Sequence, residues 1–147
     1  MLNNGIIVDD SALPYSFTVN YSAITDGTSN TILLGERPPP ADGQWGWWDS
    51  PCCTQDSLSP ARGDTKVYSS GINGNCPRPA IYQHGHVEDN CAFNSVWSNH
   101  VHGGNFCMGD GSVRTISFPS GNQAAGTITL LEALASRSGS EAVSPPD

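Results

Sequence analysis

The sequence predicts an α+β domain dominated by antiparallel strands, with one helix near its C-terminus. Three observations lead there. Sixteen Gly and 11 Pro among 147 residues leave little room for long helices. An Asp-Gly pair, Asp110-Gly111, separates two strand-like runs, which is a strong hairpin signal. The best helix-forming stretch is confined to residues 127–137. A chain of 15.5 kDa suits one core, so residues 1–147 are read as a single domain.

The elements follow in chain order. From Ser16 to Ile24, Phe17, Val19, Tyr21 and Ala23 alternate with polar neighbours, the period of a half-buried strand. Thr25 to Asn30 is rich in residues whose side-chain oxygens make turns and helix caps. Thr31 to Glu36 is a short apolar run whose β-branched start favours a strand. Pro38, Pro39 and Pro40 end it, since they lack donors and impose a polyproline path.

Residues 41–98 form a long Gly-, Pro-, Asn- and Ser-rich insertion holding all four Trp and four of the five Cys. Short strands held by disulfides are expected there, because so long an irregular region is unusual. Next, Asn105 to Met108 and Ser112 to Ile116 flank the hairpin turn. Thr127 to Arg137 reads as a helix opened by Thr129 and Glu132 at capping-box spacing, with Arg137 at its negative end and Gly139 as its stop. Residues 144–147 read as a frayed tail.

Fourteen acidic against six basic residues give a net charge of −8, and Lys66 is the one lysine. That leaves no basic face for nucleic acid or anionic lipid. No run approaches the roughly 18 apolar residues of a membrane helix, and the first 25 residues carry no basic patch followed by an apolar stretch. Cys52, Cys53, Cys76, Cys91 and Cys107 match no zinc spacing, which favours disulfides over a metal; in an oxidising compartment, two bridges and one leftover thiol are expected.

Several clusters are candidates for chemistry. His100, His102 and Asp110 supply imidazole and carboxylate, a set suited to a transition metal, and His84-Gly85-His86 repeats the His-x-His spacing. The plainer reading makes Asp110 a turn residue bonded to nearby backbone N–H groups. Calcium has candidate oxygens in Asp26, Thr28, Asn30 and Glu36, or in the loop Asp42 to Asp56, although no EF-hand spacing occurs. Trp45, Trp47 and Trp48 have the composition of a sugar-stacking platform, or of core filling. No nucleophile elbow, recognised Cys signature or phosphate loop is present, so the sequence reads as non-enzymatic.

Two segments carry a resemblance. Ile24-Thr25-Asp26-Gly27-Thr28-Ser29-Asn30-Thr31-Ile32-Leu33-Leu34-Gly35-Glu36 lies near the start, and His100, nine residues, then Asp110-Gly111 near the end, with Asn105-Phe106 and Ser112-Val113-Arg114 around it. Together they resemble the DUF1559 family of planctomycete-type, prepilin-like bacterial proteins with a C-terminal His-x9-Asp-Gly motif. The C-terminal part, Leu130 through Val143 with its Leu-x-x-Leu-Ala-x-Arg-x-Gly-x-Glu pattern, is also similar to the family. The usual Pro and Gly after the motif His are replaced here by Val101 and His102, and the prepilin segment with its apolar helix is not seen in this sequence.

The resemblance implies a pseudopilin-like head at the cell envelope or outside the cell, a structural or interaction role as in type II secretion-like assemblies, and other pilin-like subunits or envelope components as partners. It implies that Asp26, Gly27, Ser29, Asn30, Glu36, His100, Asn105, Asp110 and Gly111 brace turns and the sheet. The alternative is a binding module for calcium, a transition metal or carbohydrate.

Overall fold

The computed structural model describes residues 5–6, 19–36, 82–89, 96–139 and 143. The three-stranded sheet has the order β1 (Ile32–Gly35), β2 (Gly103–Met108), β3 (Val113–Ser117), and both pairings are antiparallel. A short helix α1 (Phe118–Gly121) follows, then a two-stranded ribbon of β4 (Ala124–Ala125) and β5 (Ile128–Thr129), then α2 (Leu130–Leu134). Antiparallel sheets beside short helices agree with the α+β expectation.

The hairpin forms where Asp-Gly predicts it. Gly111 N–H donates to Met108 O at 2.9 Å and Met108 N–H to Ser112 O at 2.8 Å. Gly111 takes φ +86°, a left-handed position closing the three-residue loop. β1 joins β2 with a bulge between Ile32 and Leu34, so that Ile32 faces Met108 and Leu34 faces Cys107.

The sheet's inner face and α2 build the core. Ile32, Phe106, Met108 and Ile116 pack with Leu130, Leu131 and Leu134, joined by Tyr82 and Val96. Truncating a wholly buried leucine such as Leu134 to alanine costs about 2–5 kcal/mol. Tyr82, Val96 and Trp97 lie within the stretch read as an insertion, so part of that stretch is core.

Three expectations need correction. Tyr21–Ala23 is a 3₁₀ turn rather than the end of a strand, with Tyr21 76 % exposed and Ile24 buried. The alternation of residues 17–23 is accidental over its described part, residues 19–23, because hydrogen bonds from Ala23 N–H to Asn20 O and from Ile24 N–H to Tyr21 O curl the chain. The C-terminal helix is only Leu130–Leu134, with Ile128–Thr129 in the ribbon. Its capping box is present as read, Thr129 Oγ1 accepting from Glu132 N–H and Glu132 Oε2 from Thr129 N–H. The helix ends at Ala135, so neither Arg137 nor Gly139 performs the expected terminal role. Finally, α1 is an additional helix, capped by Ser117, whose side chain accepts from Ser120 N–H, with Pro119 in the first turn.

Among the described residues, no helix is long and apolar enough to cross a membrane. Residues 16–18, Trp45, Trp47, Trp48, the loop 42–56, the cysteines Cys52, Cys53, Cys76 and Cys91, and the tail 144–147 lie outside the described residues. Cys107 is half-buried and carries a free thiol.

Candidate functional site

The polar residues of the two sequence segments meet at both ends of β2. At one end, the turn preceding β1 is held by its own side chains. Gly27, at φ +93°, accepts from Asn30 N–H and Thr31 Oγ1 through its carbonyl, and Asn30 Nδ2 donates to Asp26 O. This turn is joined to the hairpin loop, as Gly109 N–H donates to Thr31 O at 2.8 Å and Asp110 N–H to Thr28 O at 3.1 Å. The Asp110 carboxylate folds back on its own loop, where Oδ1 accepts from Ser112 N–H at 2.9 Å and Ser112 Oγ at 2.7 Å. Those two Ser112 bonds hold the Asp110 carboxyl below its ordinary value of 3.8.

Asp26 also reaches the C-terminal region. Its Oδ2 accepts from Gly139 N–H at 2.7 Å, and its N–H donates to Arg137 O at 3.3 Å. Arg137 in turn donates through Nη1 to Gly5 O at 2.6 Å. Four separate stretches of chain therefore converge on the Asp26 turn and the hairpin loop it touches.

At the other end of β2, Glu36 closes the edge of the sheet. Its Oε2 accepts from Asn105 N–H at 2.6 Å, and its own N–H donates to Asn105 O at 3.3 Å. His100 Nε2 lies 3.5 Å from Glu36 Oε1, with the imidazole mostly exposed. Asn105 passes the chain of bonds to β3, its Oδ1 accepting from Thr115 Oγ1 at 2.7 Å. Beside them, His100, Val101, His102, Gly103, Asn105 and Thr115 line an open depression of about 400 Å³.

The structure does not bring His100, His102 and Asp110 together. His102 precedes β2 and Asp110 follows it, and a strand of this length holds its ends roughly 20 Å apart at about 3.3 Å per residue. The calcium candidates are likewise divided, with Asp26, Thr28 and Asn30 before β1 and Glu36 after it. Among the described residues, no three His, Cys, Asp or Glu side chains converge as a metal site. Ser29 lies half-buried in the turn.

Tyr82 is the residue that sequence reasoning missed. Its hydroxyl accepts from Gly104 N–H and donates to Ile116 O at 2.5 Å, two groups that oppose each other across the β2–β3 ladder. The ring stands edge-on to Phe106, with centroids 5.8 Å apart, and lies 4.7 Å from Phe118. Burial pushes its hydroxyl up to about 12, with the Glu36 charge adding to the rise against the bond from Gly104. A lone Tyr in a Gly- and Pro-rich stretch gives no periodic signal, so nothing in the sequence marks it.

A family model matches the amino-acid sequence of this chain. The match covers residues 1–118, four-fifths of the chain, and the family is described as a protein of unknown function, DUF1559. The chain belongs to that family. The matched span runs through residues 41–98 and stops before α2. No curated protein and no solved structure matches the chain.

Proposed function

We propose that this chain is the globular head of a pseudopilin-like protein of the bacterial cell envelope, serving as a non-catalytic structural or interaction subunit among other pilin-like subunits. One observation carries the reading. The polar side chains shared by the two family segments are directed at the chain's own backbone: Asp26 at Gly139, Asn30 at Asp26, Glu36 at Asn105 and Asp110 at Ser112. Used in this way, Asp26 and Glu36 join distant segments while Asn30 and Asp110 hold their own turns, as a subunit that presents a surface needs. Family membership supports the reading without assigning an activity.

The test is the N-terminus and intact mass of the native protein recovered from envelope and soluble fractions of its own cells. A processed, methylated N-terminus on an upstream apolar helix, found in the envelope fraction, is the expected result. A native chain that begins at Met1 and occurs only in the soluble fraction overturns it.

A further inference from the structure

His84 and His86 are exposed on either side of Gly85, which is buried. This is the alternation of an extended segment, whose every second side chain points the same way. The inward position admits nothing but glycine, because a Cβ on Gly85 would lie 2.4 Å from Trp97 Cδ2 and 2.6 Å from Cε2. The backbone therefore rests directly on the indole, which is itself 2 % exposed. His84 is further held by the Trp97 ring at 6.2 Å and the Phe118 ring at 6.1 Å. Beyond His86 the chain turns, with Asp89 N–H donating to His86 O at 3.0 Å.

The two imidazoles consequently stand together above a rigid floor, with ring centres 5.6 Å apart and planes at 73°. A metal–imidazole bond of about 2.1 Å puts two rings on one tetrahedral ion with centres roughly 5 Å apart. The observed separation exceeds that by a few tenths of an ångström, and coordination requires both exposed side chains to rotate until a nitrogen of each ring faces the shared ion. Two carboxylates, Glu88 and Asp89, follow within three residues in an exposed turn, and the chain carries a net charge of −8, so the local field favours a cation.

From this arrangement we infer that His84 and His86 form a two-imidazole site for a transition-metal dication, with water completing the coordination. Imidazole donors rank Cu²⁺ above Zn²⁺, and they do not suit Ca²⁺ or Mg²⁺, which take oxygen ligands. The site is separate from the Glu36–His100 pair and does not depend on the envelope reading.

The experiment is titration of the full chain with Cu²⁺, followed by calorimetry and by electron paramagnetic resonance that counts the coordinated imidazole nitrogens. The expected result is one ion bound through two imidazoles. His86→Asn, which leaves the His84 contacts with Trp97 and Phe118 in place, reduces the count to one and weakens binding at least tenfold. The double variant His100→Asn, His102→Asn leaves both readings unchanged. A parent protein that shows one imidazole or none overturns the site, as does a two-imidazole signal that survives His86→Asn or disappears in the His100/His102 variant.

Discussion

Replacing Tyr82 by Phe removes one oxygen and keeps the ring that packs on Phe106 and Phe118. That oxygen serves Gly104 N–H and Ile116 O, both inside the β2–β3 ladder. A buried polar group left without its partner costs about 1–3 kcal/mol. Gly104 and Ile116 face each other in register, so closure of the strands recovers part of the loss. The net expectation is about 2 kcal/mol, which at this chain length lowers Tm by about 4–8 °C. Equilibrium urea unfolding followed by tryptophan fluorescence measures it, and the midpoint is expected to fall with no change in slope.

The same substitution carries a pH signature. An unfolded chain ionises tyrosine near its ordinary value of 10.0, whereas the folded protein holds Tyr82 neutral up to about 12. Its contribution is therefore complete below pH 10 and is lost as pH rises through 12. Tyr82→Phe should flatten the fall in stability over that window. An unchanged urea midpoint together with an unchanged alkaline profile would show that the hydroxyl does not join the strands, and the reasoning would fail.

Other perturbations divide the bracing network. Glu36→Ala frees the Asn105 N–H at the sheet edge and should cost about 1–3 kcal/mol in chemical denaturation, with Glu36→Gln closer to the parent because it keeps an acceptor. Asp110→Ala should lower Tm at neutral pH, and the gap should close as pH falls below 3.8. The depressed carboxyl stabilises the fold above its ordinary value, and that contribution is lost on protonation, so a gap that persists in acid counts against the Ser112 bonds as its source. Gly103→Ala should prevent the hairpin from closing, since its Cβ would collide with Ile116 O, whereas Gly111→Ala meets open space and loses only the left-handed preference, about 1 kcal/mol. Comparable Tm values for those two variants would refute the close approach at Gly103.

What could be read from the sequence was local. The Asp110-Gly111 turn, the strand at Ile32–Gly35 and the Thr129–Glu132 capping box each depend on neighbours within a few residues, and each is present. Over its described residues, 19–24, the apparent strand gave way to a 3₁₀ turn, because the chain there bonds to itself from Ala23 N–H to Asn20 O and from Ile24 N–H to Tyr21 O. The helix was read too long. The residues that open the stretch, Thr127, Ile128 and Thr129, are β-branched and favour a strand, and Ile128 and Thr129 pair in the ribbon with Ala125 and Ala124.

At the site, Asp110's bond to its own turn was legible, since that is the ordinary chemistry of Asp beside Gly. The meeting of Glu36 with Asn105, and of Asp26 with Gly139, spans 69 and 113 residues and leaves no periodic trace. Tyr82 and the glycines beneath it were hidden for the same reason, because close approach is a property of the packed chain and not of any short stretch.

The central claim is that the shared polar residues hold the fold together, and amide hydrogen exchange in the native state tests it most directly. The N–H groups of Asn105, Gly109, Asp110 and Gly139 are expected to exchange only with opening of the sheet, and Glu36→Ala to release Asn105 alone. Rapid exchange at these four positions in the folded parent protein would contradict the account.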